Sequence, residues 1–228
     1  MYSLFYYNLT QIEIFIMKIT VFGATGKTGK EVVKQALELG YEIKAFVRNP
    51  DKMDISNDKL TLIKGDVTNQ EEVEQAVEGV DGVIVALGAS SDMQADIVME
   101  QGTRNIMNAM KKYGVKRIIV QSSYAMSGSP EGIEFMKKMG MGEEQIAMVK
   151  PVLDDKTKQE EAIQASGLEY TIVRPLMLND EGKTGKYRVG ENLDVKVGDA
   201  ISRADVADFM LKDLTENKFA GKIVTLSY

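Results

Sequence analysis

The chain has no cysteine, no histidine and no tryptophan, and only 4 prolines in 228 residues. Without cysteine there is no disulfide framework, no thiolate nucleophile and no thiolate-bound zinc or iron–sulfur cluster. Without histidine, the Ser-His-Asp triad, the usual imidazole base and the His-based metal sites fall away. No metal is expected, and a redox reaction would need a borrowed organic cofactor. No apolar run approaches the roughly 20 residues of a membrane span. Lys and Arg total 28 against 34 Asp and Glu, a net charge of −6. That balance argues against nucleic acid or an anionic membrane as the main partner.

What remains is an ordinary globular composition, 44% hydrophobic and 27% charged. The length suits a single α/β unit. Residues 1–16 are aromatic and apolar with no Lys or Arg, so the cationic start of a signal peptide is missing. Met17 reads as the natural start and 1–16 as an extension. The alternative is a short segment that docks on a groove or on a second subunit. The expected setting is cytoplasmic, as a monomer or weak homodimer.

From Lys18 onward, strands and helices alternate. Strands are expected at 18–22, 41–47, 60–64, 82–87, 116–121, 169–173 and 222–226, from short β-branched runs and alternation. Helices are expected at 30–39, 70–77, 92–112, 154–165 and 203–214, from helical spacing and caps such as Thr68 or Asn69. Residues 125–150 break the periodicity and read as an irregular, lid-like segment; 183–197 read as a small β element. Such alternation implies a parallel sheet covered on both faces, a doubly wound (Rossmann) fold. Residues 17–228 then form one domain, with 125–150 and 175–202 on the substrate side.

The strongest local signal is Gly23-Ala24-Thr25-Gly26-Lys27-Thr28-Gly29, between a strand and a helix. Gly23 allows the tight turn, Gly26 clears space for a diphosphate and Gly29 lets the helix approach the strand. The free amides and helix dipole then face the phosphates. Gly26-Lys27-Thr28 imitates the end of a P-loop, but Val21 stands where that motif needs glycine. Where NAD binders place an acid on the next strand, this chain has Val47-Arg48-Asn49-Pro50. Arg48 matches a 2′-phosphate, with Lys52 as a second cation, and the expected cofactor is NADP(H). The alternative for Arg48 is a solvated charge. Asp66 either accepts from the adenine amino group, with Val67 beside the base, or serves a turn. Leu87 and Gly88 end a strand at the carboxyl edge, where ligands bind.

These segments, with Gly65-Asp66-Val67, Ile84–Gly88 and Gly102-Thr103-Arg104-Asn105-Ile106, resemble the atypical short-chain dehydrogenase/reductases with an NmrA-like NAD(P)-binding domain. Within that group the likeness is greatest to the flavin reductase and biliverdin-IXβ reductase branch. It extends over roughly 18–228 and includes Ser122-Ser123, Asp154-Asp155, Pro175, Thr184-Gly185 and Ile201-Ser202. The resemblance implies hydride transfer from NADPH to a flat conjugated acceptor, a flavin, a linear tetrapyrrole or a quinone. It places Ser122 and Pro175 by the coenzyme and Ser123 near nicotinamide and substrate. Met177 stands where the branch has a histidine, a departure that bears on biliverdin itself.

The Tyr-x-x-x-Lys pair of short-chain alcohol dehydrogenases is missing. Tyr113, Tyr124, Tyr170 and Tyr187 are followed four residues on by Arg117, Gly128, Arg174 and Glu191. Lys156 occupies the lysine position of related atypical members, with Val152 where the tyrosine would be. A proton donor would have to come from elsewhere, Tyr124 being the candidate. Flavin reduction escapes that need, since solvent can protonate the product. Ser123 either bonds the acceptor or is an ordinary strand-end serine. Arg174 either anchors an acidic substrate group or pairs with a carboxylate. The methionines of 125–150 form an apolar acceptor wall or simply pack. The alternative function is a non-catalytic NADP(H)-sensing regulator of the NmrA type.

Overall fold

A computed structural model describes residues 16–88 and 98–228. The expectation for residues 1–15, and the first turns of the helix expected from Asp92, lie outside the described residues. In chain order the strands are β1 Lys18–Phe22, β2 Glu42–Val47, β3 Leu60–Lys64, β4 Gly82–Val85, β5 Arg117–Gln121, β6 Glu169–Pro175, β7 Met177–Asn179, β8 Arg188–Gly190, β9 Ala200–Ser202 and β10 Lys222–Ser227. The α-helices are α1 Lys27–Glu38, α2 Gln70–Val77, α3 Met99–Tyr113, α4 Pro130–Lys138, α5 Glu143–Gln164 and α6 Arg203–Glu216.

Among the described residues the main sheet runs β3-β2-β1-β4-β5-β6-β10-β8. Every pairing is parallel except β8 on β10. Alternate residues of each strand serve opposite layers. Ile19, Val21, Ile43, Ala45, Ile84 and Val173 pack with α1 and α6. Phe22, Phe46, Val83, Val85, Ile118 and Ile172 pack against α2, α3 and the end of α5. Burial on both faces explains why these strands read as near-continuous apolar runs. The chain order reverses between β1 and β4, and a crevice opens beyond their carboxyl ends.

Residues 125–150 are not irregular. Ser129-Pro130 starts α4 as an N-cap and first helical residue, the Ser129 hydroxyl accepting from the Gly132 amide at 3.1 Å. Helix α5 begins eleven residues before the expected Asp154 and continues through Pro151. Val149 and Leu153 close on Met136, with Ile146 and Met141 beside them, as a small separate core. Proline normally ends a helix, and here packing of the turns that flank Pro151 overrides it. The β element expected over 183–197 reduces to β8, while β7 and β9 pair as a separate two-stranded ribbon.

One buried ion pair ties the sheet to α6. Arg117 and Asp213 are 7% and 2% exposed at their side chains, with Nη2 donating to Oδ2 at 2.6 Å. The same nitrogen donates to Thr171 Oγ1 at 2.9 Å, and Nη1 donates to the Glu169 carbonyl at 2.9 Å. Replacing Asp213 by alanine strands the guanidinium in the core and is expected to cost about 3–5 kcal/mol, measured by denaturant unfolding. An Arg117→Met, Asp213→Leu double variant is expected to lose much less.

Candidate functional site

The crevice at the sheet's switch point is a groove of about 700 Å³. Its floor is the glycine turn. Gly23 has φ +77°, and a Cβ there would lie 2.4 Å from the Ala86 carbonyl oxygen. A Cβ at Gly29 would lie 2.1 Å from the Gly23 carbonyl oxygen. The turn therefore tolerates only glycine at both places. Gly26 is the N-cap of α1, with no capping side chain and no acid in the first turn. Its amides and dipole thus face the groove, as a diphosphate requires. Thr25, Gly26, Lys27 and Thr28 line this part. Gly29 lies behind it and sets the close approach of helix to strand.

One end of the groove is lined by Phe46, Val47, Arg48, Lys52, Asp66, Val67 and Thr68. No acidic residue closes β2. Asp66 serves the turn. Its Oδ1 accepts from the Thr68 hydroxyl at 2.6 Å and amide at 2.8 Å, while the carboxylate still borders the groove. Those bonds hold its pKa below the usual value against the opposing effect of burial, with a lesser contribution from the Arg48 charge. Gly102 on α3 lets Val67 close in, since a Cβ there would be 2.7 Å from the valine methyls.

The other end is lined by Ala86, Leu87, Gly88, Gln121, Leu178 and Arg203. A Cβ at Gly88 would meet nothing within 4 Å, so that side is open. Gln121 Oε1 and Ser122 Oγ are buried with no hydrogen-bond partner among the described residues. The orphaned Gln121 acceptor, bordering the groove, fits a ligand carrying amide or hydroxyl donors. Glycine cradle, free helix terminus, basic pocket and orphaned acceptor together fit a nicotinamide dinucleotide.

A second cavity, about 230 Å³, adjoins this end and shares Leu178 and Arg203 with it. Ser123, Ala125, Met126, Phe135, Leu176 and Met177 complete its wall. Ser123 and Met177 therefore stand together as expected, and Met126 supplies part of the apolar wall assigned to 125–150.

Other candidates lie elsewhere. Arg174 is not available to a substrate: its Nε and Nη2 donate to the Glu160 carboxylate at 3.1 and 2.5 Å, buried between β6 and α5. Lys156 is 7% exposed and lines neither cavity. Burial pulls its pKa down to about 8, opposed by the charges of Glu160 and Asp155. Asp155 meanwhile accepts from the Met99 and Glu100 amides at the start of α3. Tyr124 also lines neither cavity; its ring meets Phe135 edge-on, and burial raises its pKa. Pro175 is buried, its carbonyl accepting from the Tyr124 amide at 3.0 Å, Ser122 is buried with its amide donating to the Val173 carbonyl, and neither lines the groove.

Sequence reading missed Gln121, Leu178, Asp180 and Arg203. The ribbon Leu178↔Ile201 carries Leu178 and Arg203 to the groove, with Asp180 bonded between Lys27 and Arg203. Its loop is held by Asp205, whose carboxylate accepts from the Thr184 and Gly185 amides and from the Tyr228 hydroxyl. A strand pair three residues long leaves no period to read. The Ser202 N-cap before Arg203 was the available signal.

The family model described as NAD(P)H-binding matches residues 23–217. A chloroplastic protein of Arabidopsis thaliana, itself called uncharacterized, is 31% identical over 223 residues, 92% of this chain and 76% of the relative. Protein TIC 62 of Pisum sativum, also chloroplastic, is 27% identical over 86% of this chain, which spans only 39% of that relative. The structure of the oxidoreductase ylbE from Lactococcus lactis superposes with TM-score 0.74 at 25% identity, covering 92% of this chain and 90% of that one. Among the described residues no helix is long and apolar enough to cross a membrane, and no acidic cluster could hold a metal ion.

Two tests follow. Arg48→Glu is expected to lower the ratio of NADPH to NADH affinity about tenfold or more, by calorimetry, through loss of charge-assisted bonds to a 2′-phosphate. Lys156 titrates near 8 when folded and at the ordinary higher value when unfolded. Between those values the unfolded chain binds the extra proton, so stability rises with pH. Urea titrations should show that rise above pH 8 in the native chain and lose it in Lys156→Met.

Proposed function

The chain belongs to the NAD(P)H-binding family, and from that premise we propose that it is an NADPH-dependent oxidoreductase acting on a flat conjugated acceptor. A flavin, a linear tetrapyrrole or a quinone fits the description. The observation that carries this reading is the apolar second cavity opening on the Gln121–Arg203 end of the groove. When bound, a reduced nicotinamide supplies a hydride, two electrons with one proton.

The chain's own residues bind and orient. The glycine turn and the α1 terminus hold the diphosphate, and Arg48 with Lys52 selects the phosphorylated ribose. Gln121 offers its acceptor oxygen to the nicotinamide end. Met126, Phe135, Leu176 and Met177 cover a planar ring and keep water from it. Ser123, half-buried in that wall, is the polar contact; its hydroxyl already receives the Met126 amide at 3.3 Å. Neither Tyr124 nor Lys156 borders the cavity. An acceptor whose reduced form takes its second proton from solvent therefore suits this site better than a carbonyl needing a tyrosine acid. Holding two rings in near-attack geometry is then the main contribution to rate.

Loss of reduced-nicotinamide absorbance, measured with FMN, riboflavin, a quinone and a linear tetrapyrrole in turn, tests this. Oxidation of NADPH dependent on at least one of them is expected. Tight NADP(H) binding with no oxidation across the set would overturn the reading in favour of a dinucleotide-sensing regulator.

A further inference from the structure

Arg203 stands where the two cavities meet and lines both. It is the one charged side chain among the described residues of the second cavity, whose remaining wall is apolar except for Ser123. Its position is set firmly: it opens α6 directly after the Ser202 N-cap, whose hydroxyl accepts from the Asp205 amide at 3.0 Å. The side chain is 21% exposed. Nη1 donates to Asp180 Oδ1, and the other carboxylate oxygen of Asp180 takes Lys27 Nζ at 2.5 Å. Asp180 is 59% exposed and lies just past β7. Two cations thus converge on one exposed carboxylate: Lys27 from the phosphate turn and Arg203 from the acceptor wall. That leaves an excess positive charge at the junction.

From this arrangement we infer that Arg203 recognises an acidic group, carboxylate or phosphate, on the acceptor, and that Asp180 is the place-holder for it. This deepens the reading of the second cavity as an acceptor site and rests on it. A carboxylate already seated on the guanidinium demonstrates the geometry that the ligand's acid would use. Arginine's planar fork presents five donors, and the recorded bond to Asp180 uses one nitrogen. An incoming anion can therefore engage the remaining donors or displace the exposed Asp180, which keeps Lys27. The apolar wall does not reward an anionic group by itself, so selectivity between acidic and neutral acceptors of the same ring falls to Arg203. Arg174, the arginine whose sequence position suggested this duty, is excluded by its buried pairing with Glu160.

FMN and riboflavin carry the same ring and differ in one phosphate, so they are the probes. Fluorescence-quenching titrations of both, with NADP⁺ present, measure affinity without turnover; kcat/KM for both measures turnover. The native chain is expected to favour FMN. In Arg203→Gln the FMN-to-riboflavin ratio should fall about tenfold or more, the scale of a lost charge-assisted bond. In Asp180→Asn, where the competing carboxylate is gone and Arg203 remains, the ratio should rise; this variant serves even if Arg203→Gln does not fold. An unchanged ratio in the variants overturns the inference. So does an equal loss for both flavins together with weakened NADP⁺ binding, which would assign Arg203 to the coenzyme. Failure of FMN to bind the native chain overturns it as well. Should FMN-selective binding shift as expected with no NADPH oxidation, the anion site stands and the reductase reading falls.

Discussion

The close passage of backbone over backbone at the switch point is the constraint on which the site depends. Gly23 sits so near the Ala86 carbonyl that no side chain fits between β1 and β4 at their carboxyl ends, and α1 in turn rests on Gly23 through Gly29. That double contact aims the first amides of α1 across the crevice. It also fixes the distance between the phosphate turn and the strand ends that carry Leu87, Gly88 and Gln121. The hydrophobic layers on either side of the sheet hold β1 and β4 in register, with Val21 opposite Ile84 and Phe22 opposite Val85. Core packing and ligand geometry are therefore one arrangement.

The far wall is built by polar contacts instead. Asp205 gathers the Thr184–Gly185 loop and the Tyr228 hydroxyl onto the start of α6, with hydrogen bonds that keep its carboxyl ionised despite burial. The ribbon of β7 and β9 then places Leu178 and Arg203 over the groove. Asp180 links this wall to the phosphate turn through Lys27.

Buried charge explains why some chemically attractive residues are structural. Asp155, Lys156 and Glu160 of α5 and Arg174 of β6 are drawn from the solvent, and each carboxylate is committed: Asp155 to the start of α3, Glu160 to Arg174. Lys156 is held among them at the cost of a depressed pKa. A lysine at a familiar position and an arginine beside a strand end look reactive in isolation. Burial decides otherwise: Arg174 already has Glu160 as its counter-ion, and Lys156 lines neither cavity.

Much of the molecule was legible from local chemistry alone. Strand positions, the Asn69-capped α2, the glycine turn and the basic residues after β2 follow from periodicity, capping and the backbone needs of a diphosphate. Those signals are written within a few neighbouring residues. The helical turns over 130–153 were not legible, because the apolar spacing breaks there and packing of Val149 and Leu153 against Met136 sustains them. The second cavity was legible in Ser123 and Met177 but not in Arg203, and neither Gln121 of the groove nor Asp180 between its cations was read. These come together through a three-residue ribbon and a carboxylate-tied loop, contacts between distant segments that leave no local pattern. Sequence alone determined the doubly wound sheet and the dinucleotide turn; tertiary structure decided which charges face the groove, because only folding shows which of them have already been paired.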